Sequence, residues 1–444
     1  MTVTHYQAPL SFVAEPGGVL QGRIRVTGDK SISHRAIMLG AIAQGCTEIS
    51  GFLEGEDCLA TLQAFRAMGV PIEGPVDGRV RVHGVGLRGL QAPAQPLDMG
   101  NSGTSMRLLT GLLAGHGLAA VLVGDSSLMR RPMRRVTDPL ARMGAQIATA
   151  DNGNPPLNIH AGHALQGIEY VMPMASAQVK SSILLAGLYA QGTTCVTEPA
   201  PTRDHTERML QGFGYPLRRE GPKVCLEGGH ALQATAIDVP GDISSAAFFM
   251  VGASIAKGSE LLLEHVGINP TRTGVIDILR LMGADIELLN VREAGGEPVA
   301  DIRVRSAPLH GVDIPEALVP LAIDEFPAIF IAAACAHGKT VLTGARELRV
   351  KESDRIQVMA DGLQTCGVAA QPTEDGMVIT GGPLQGGEIH SHGDHRIAMA
   401  FAMAALAAQG RLLIHDCANV NTSFPGFAEL ARHTGVRLLT REGA

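Results

Sequence analysis

The chain has 444 residues, with 36 Lys+Arg against 43 Asp+Glu, a formal net charge of −7, 45% apolar and 18% charged residues, and no Trp. This length is ample for two or three domains with large cores, and the composition excludes wholesale disorder. The mildly acidic total argues against a nucleic-acid binder, no apolar run reaches the roughly 18 residues of a membrane-spanning helix, and the N-terminal MTVTHYQAPLSFVAEPGG lacks the basic-then-apolar pattern of a signal peptide.

In chain order the sequence alternates two kinds of helical segment, six times over. GDKSISHR opens the apolar stretch SHRAIMLGAIAQG, and FRAMGVPIE then predicts a helix ending at Gly69 and a strand after it. NSGTSMRLLTGLLAG is followed by the arginine-rich SLMRRPMRR and by LARMGAQIA, with Gly144. AQVKSSILLAGLYAQG, preceded by MAS, leads to LQGFGYPLR, with Gly214. ISSAAFFMVGASIAKG, preceded by PGD, leads to LRLMGADIE, with Gly283. FPAIFIAAACAHG, preceded by IDE, leads through LRVKESDR to LQTCGVAAQ, with Gly367. HRIAMAFAMAALAAQG, preceded by HGD, leads to ARHTGVRLL, with Gly435.

Successive glycines lie 75, 70, 69, 84 and 68 residues apart. Four residues before them stand Phe65, Leu140, Leu210, Leu279 and Leu363, with the smaller Ala431 in the sixth copy. The pattern predicts an amphipathic helix closed by a left-handed glycine cap and followed by a strand. Helices that are apolar all round must be buried. Six such units divide naturally into two domains of three, with a seam near Ala236–Gly241.

The polar residues collect where the buried helices begin. Asp29, Asn101 and Asp242 stand where N-caps are expected. Capping does not account for Lys30, Arg35, Arg107 and Arg396, because a helix N-terminus disfavours cations. Cations gather there when an anion sits among them, held by the dipole and the side chains together. A substrate with several negative charges is the expectation. Arg130, Arg131, Arg134 and Arg135 of SLMRRPMRR, and Arg349, Lys351 and Arg355 of LRVKESDR, add to that positive charge. Asp324, Glu325 and Glu352, lying among such cations, are candidate bases.

Other motifs lead nowhere. Gly84-Val-Gly86-Leu-Arg-Gly89 fits a dinucleotide-binding pattern, but Pro93 and Pro96 forbid the helix it needs. Gly338-Lys339-Thr340 closes a helix where a P-loop would open one. His390, His392 and His395 are close in sequence, yet no Cys or carboxylate is spaced to complete a metal site. The seven cysteines form no C-x-x-C pair and read as scattered reduced thiols of a cytosolic protein.

GDKSISHR, GNSGTSMR, RRPM, MASAQVKSSILLAGL, TRDHTE, IDEFP, ELRVKESDR, GDHRIAMA and NTSFPGF, in this order across residues 15–430, closely resemble the 5-enolpyruvylshikimate-3-phosphate synthase family. TRDHTE, IDEFP and NTSFPGF resemble its divergent branch, which includes glyphosate-tolerant members. A tolerant member carries Ala where Gly103 stands here, and Thr422 and Ser423 occupy the place of a lysine that contacts phosphoenolpyruvate in the other branch. The resemblance implies an α/β fold, an inside-out barrel of two domains, each with three βαβαββ repeats around buried parallel helices. The domains would span 23–239, and 1–22 with 240–444, with the active site in the cleft between them and closure on substrate binding. It implies transfer of the enolpyruvyl group of phosphoenolpyruvate to the 5-hydroxyl of shikimate 3-phosphate, with no metal or organic cofactor, in a cytoplasmic monomer without nucleic-acid or membrane partners.

By the same resemblance, shikimate 3-phosphate would be held by Lys30, Ser31, Arg35, Ser176, Ala177, Gln178, Arg203, Asp324 and Lys351. Phosphoenolpyruvate would be held by Lys30, Gly103, Arg131, Gln178, Arg355 and Arg396. Asp324 would deprotonate the 5-hydroxyl, Glu352 would exchange protons at the methylene, and Lys30 would join them in catalysis. Two alternatives are a UDP-amino-sugar enolpyruvyl transferase, whose mobile-loop cysteine SLMRRPMRR lacks, and a non-catalytic phosphometabolite-binding protein.

Overall fold

A computed structural model describes residues 10–443. Within them the chain divides into two compact units. One is Gly28–Val239 with the short stretch Ala294–Glu297; the other comprises the described residues up to Thr27, Pro240–Glu293 and the chain from Pro298 onward. Within the described chain, the first passage between units therefore follows Thr27. The reason is pairing: the strand Gln21–Ile24 runs parallel to Glu260–Gly267 and stays with that sheet.

The first unit contains α1 (Lys30–Ile42), α2 (Glu56–Ala67), α3 (Gly103–His116), α4 (Arg134–Arg142), α5 (Ala177–Gly187) and α6 (His205–Gly212). The second contains α7 (Ile243–Ile255), α8 (Gly274–Leu281), α9 (Phe326–Cys335), α10 (Arg355–Thr365), α11 (His395–Ala404), the single turn α12 (Val420–Ser423) and α13 (Phe427–Thr434). α1, α3, α5, α7, α9 and α11 are the apolar segments, with what charge they carry near their N-termini, and their residues are buried almost throughout. α7, α9 and α11 pack on one another at the centre of the second unit, and α3 packs on both α1 and α5 in the first.

The six glycines do what the spacing predicted. Gly69, Gly144, Gly214, Gly283, Gly367 and Gly435 all have positive φ, between 76° and 121°, which a side chain would strain. Each follows a helix and precedes a strand. The apolar residue four before it is fully buried in every copy, Ala431 included. A buried Leu or Phe there contributes about 1.5–3 kcal/mol.

Each unit carries three small sheets. In four of the six, the strand after the buried helix pairs in parallel with another strand and antiparallel with one of a following hairpin, and in a fifth Leu412–His415 pairs in parallel with Gly387–His390 and antiparallel with Leu10–Ala14. The sixth sheet, Lys339–Leu342 with Met377–Thr380 and Ala369–Pro372, is antiparallel, with isolated parallel bridges from His310 to His337 and from Asp313 to Val341 beside it. The strand Leu10–Ala14 pairs with Leu412–His415 and Leu438–Glu442, so the start of the described chain completes the last sheet.

Two expectations need correction. Ser102, not Asn101, caps α3, its hydroxyl accepting from the Ser105 amide at 3.1 Å. Asn101 lies one residue too early and bridges Asp125 and Arg131. The thiols are not all reduced either: Cys195 and Cys225 form a disulfide. They lie 30 residues apart, but Thr193–Thr197 and Lys223–Glu227 pair antiparallel with these two residues directly opposite, Cα atoms 4.1 Å apart. Among the described residues, no helix is long and apolar enough to cross a membrane.

Candidate active site

In the first unit, the starts of α1, α3 and α5 carry the charged residues. Asp29 caps α1, accepting from the Ile32 amide at 2.9 Å, which fixes the turn holding Lys30 and Ser31. The Lys30 ammonium is ion-paired with the buried Asp57, which α2 supplies. Arg35 is buried one turn further in. Its guanidinium donates to Thr206 Oγ1 at 2.7 Å, to Ser181 Oγ at 2.9 Å and to the Ser31 carbonyl at 2.9 Å. Burial lowers its pKa to about 10, against the opposing pull of Glu207 and Asp29, so it stays a cation at neutral pH.

Gly103 opens α3, where a side chain would meet Arg107 Nη1 at 2.8 Å and Arg131 Nη1 at 3.1 Å. The helix therefore begins beneath two guanidiniums. Arg107 donates to Gln178 Oε1 at 2.8 Å, and Gln178 Nε2 donates to Thr104 Oγ1 at 2.9 Å, so α3 and α5 are tied together at their first turns. Ser176 caps α5 and Ala177 is its first residue. Arg131 is oriented by Asn101 at 3.1 Å. Its neighbours Arg130, Arg134 and Arg135 are exposed, so of the four arginines only Arg131 is drawn in. Arg203 lies close enough to Arg35 to oppose its charge.

Behind this group, Lys180 on α5 is fully buried between Glu198 at 2.9 Å and Glu207 at 2.6 Å. The pattern of apolar residues gave no hint of a buried lysine with two carboxylates. Nor did it single out Asp57, Ser181 or Thr206, which reach Lys30 or Arg35 from other elements.

In the second unit one buried arginine organises the charges. Arg355, at the start of α10, is 1% exposed and touches three carboxylates. Asp394 lies at 2.8 Å from Nε, Glu352 at 2.6 Å from Nη2 and Asp324 at 3.3 Å from Nη1. Burial alone would lower its pKa, but these partners outweigh that and raise it, so it is a permanent cation. Lys351 reaches Asp324 at 3.4 Å and Glu347 at 3.0 Å. Burial pulls its pKa down, and the two carboxylates more than restore it. Asp324, Lys351, Glu352 and Arg355 thus form one constellation of interleaved cations and carboxylates.

Asp394 joins Arg396 to it. Asp394 caps α11, accepting from the Arg396 amide at 3.0 Å while gripping Arg355 with both oxygens. Its position just before a cationic helical turn was the available signal. Glu325 departs from the sequence expectation of a third base. It is buried beside Ser244 and 3.7 Å from Arg272, which also pairs with Asp242 at 3.1 Å, so its charge is used inside the unit. The pattern TRTG around Arg272 carried no recognisable signal.

Repeated helical units in which α1, α3, α5 and α11 carry cations near their starts, with carboxylates held among cations, fit a class of protein that binds small polyanions. Comparisons with known proteins narrow the class. The profile of the EPSP synthase (3-phosphoshikimate 1-carboxyvinyltransferase) family matches residues 14–430. The chain is 70% identical over 432 residues to the 3-phosphoshikimate 1-carboxyvinyltransferase of Nitrosococcus oceani, covering 97% of each chain. It is 69% identical to that of Methylococcus capsulatus, covering 96% of this chain and 97% of the relative. The structure of an EPSP synthase from Acinetobacter baumannii superposes with a TM-score of 0.88 at 59% identity, covering 98% of this chain and all of that one. The chain belongs to the EPSP synthase family.

Proposed function

We propose that this enzyme transfers the enolpyruvyl group of phosphoenolpyruvate to the 5-hydroxyl of shikimate 3-phosphate and releases phosphate. Family membership over nearly the whole chain carries this reading. The fold is read as the family's inside-out α/β barrels, three repeats in each domain, and the protein as a cytoplasmic monomer.

Lys30, Ser31, Arg35, Ser176, Ala177, Gln178 and Arg203 hold shikimate 3-phosphate from the first unit, and Asp324 and Lys351 from the second. Arg35 suits a phosphate or carboxylate partner, because its hydroxyl contacts to Ser181 and Thr206 leave its charge uncompensated by direct ion pairing. Gly103, Arg131, Gln178, Lys30, Arg355 and Arg396 hold phosphoenolpyruvate. Asp324 takes the proton of the 5-hydroxyl as its oxygen attacks the substituted vinyl carbon. Glu352 protonates the methylene, giving a tetrahedral intermediate. The methyl then returns a proton to Glu352, the double bond re-forms, and the carbon–oxygen bond to phosphate breaks. Protonation of carbon is the demanding step, and a placed acid is worth about 10²–10⁴-fold there. Arg355, 2.6 Å from Glu352, holds that carboxyl in place between the two transfers.

The test is phosphate release with purified protein, shikimate 3-phosphate and phosphoenolpyruvate. Release that requires both substrates, with 5-enolpyruvylshikimate 3-phosphate as product, is expected. Binding of either substrate without turnover would replace this reading with that of a binding protein.

A further inference from the structure

We infer that Glu388, His390 and His415 form a binding site for one divalent transition-metal ion, a site distinct from the catalytic constellation. The strands Gly387–His390 and Leu412–His415 run parallel, with His390 and His415 paired in register. Paired residues on neighbouring strands project to the same face, and so does Glu388, two residues before His390. Three side chains from two strands are thereby brought together, with one donor atom of each within 4.8 Å of the others.

The local geometry suits an ion. Glu388 Oε1 lies 2.7 Å from His415 Nε2, and the His390 ring stacks on that of His415 at 4.8 Å between centroids. On the other side of His415, Nδ1 lies 3.4 Å from Ser11 Oγ on the adjoining strand Leu10–Ala14. A metal-ligating histidine is held by an outer partner on the nitrogen that does not bind the ion, and Ser11 can serve His415 Nδ1 in that way while Nε2 faces the site. With metal–ligand bonds of about 2.0–2.2 Å, an ion would replace the Glu388–His415 hydrogen bond, those two donors parting slightly while the His390 donor swings in. Glu388 and His390 are exposed and can rotate to do so.

The donor set selects the metal. Two imidazoles and one carboxylate suit Zn²⁺, Co²⁺ or Ni²⁺ with an open position for water, whereas Mg²⁺ and Ca²⁺ require mainly oxygen. The three histidines adjacent in sequence do not converge. His395 is buried in the first turn of α11, His392 has positive φ and only its ring edges His390 at 6.3 Å between centroids, and His415, distant in sequence, supplies the converging imidazole. A bound ion would clamp the strand that leads into the Asp394 cap, stabilising the folded chain by mass action.

The experiment is calorimetric titration of untagged, chelator-stripped protein with Zn²⁺ and, separately, Mg²⁺. One equivalent of Zn²⁺ and no Mg²⁺ is expected, with a Zn²⁺-dependent rise in melting temperature. His390→Ala and His415→Ala are expected to lose both effects, and Ser11→Ala to weaken Zn²⁺ binding about tenfold. Phosphate release by His390→Ala at the wild-type rate would show that the variant is folded. Absence of stoichiometric Zn²⁺ binding by the wild type overturns the inference, as does a Zn²⁺ equivalent that persists in both histidine variants, which would place the ion on a thiol such as the exposed Cys46.

Discussion

Gly103→Ala separates stability from substrate affinity. The added methyl would lie 2.8 Å from Arg107 Nη1 and 3.1 Å from Arg131 Nη1, where ordinary contacts begin at 3.4 Å. Both neighbours are the far ends of flexible side chains, so they yield by tenths of an ångström and the backbone need not. Gly103 is the first residue of α3 and has no positive φ, so alanine fits its conformation. Removing a glycine there stabilises a chain by about 0.4–1 kcal/mol, through the unfolded state. The cost falls on the guanidiniums. A hydrogen bond from a cation to phosphate is worth about 1.5–3 kcal/mol, so displacing Arg131 from its partner corresponds to roughly a 10- to 100-fold loss of affinity. Steady-state kinetics with each substrate varied should show a raised KM for phosphoenolpyruvate and little change for shikimate 3-phosphate, with thermal stability held or increased. An unchanged phosphoenolpyruvate KM would refute the placing of that substrate at Gly103 and Arg131. A parallel rise for both substrates would point to general distortion.

Glu352→Gln should retain shikimate 3-phosphate binding by calorimetry while turnover falls by about 10²–10⁴-fold, and full turnover would remove Glu352 from proton exchange. Asp394→Ala takes away both the cap of α11 and the fully buried partner of Arg355. Breaking a buried pair costs about 3–5 kcal/mol, so a large drop in urea midpoint followed by circular dichroism is expected, with Asp394→Asn, which still caps, losing less. Equal midpoints for the two variants would show that charge, not capping, dominates. Lys180→Met leaves Glu198 and Glu207 buried without their shared cation and should destabilise by a similar amount. Adding Glu198→Gln and Glu207→Gln should recover much of the loss, and no recovery would mean that packing, not charge, was disturbed.

Much of the architecture is local and therefore legible without coordinates. A glycine after a helix needs positive φ whatever surrounds it, and a helix apolar on all its faces has to be buried somewhere. These constraints located Gly69, Gly144, Gly214, Gly283, Gly367 and Gly435 and the six interior helices. The same local logic misassigned Asn101, because an N-cap depends on a shift of a single residue, and it is Ser102 whose hydroxyl reaches the helix.

What joins distant segments was open until the chain was folded. Asp57 meets Lys30, Thr206 and Ser181 hold Arg35, and Asp394 grips Arg355, each through a side chain that sequence spacing leaves unassigned. Cys195 and Cys225 form a disulfide because strand register sets them opposite, and Glu325 turns to Arg272 in place of the constellation around Arg355. Periodicity and capping are short-range properties written into consecutive residues. The partner of a buried charge depends on which strands and helices come together, and only the folded chain supplies that.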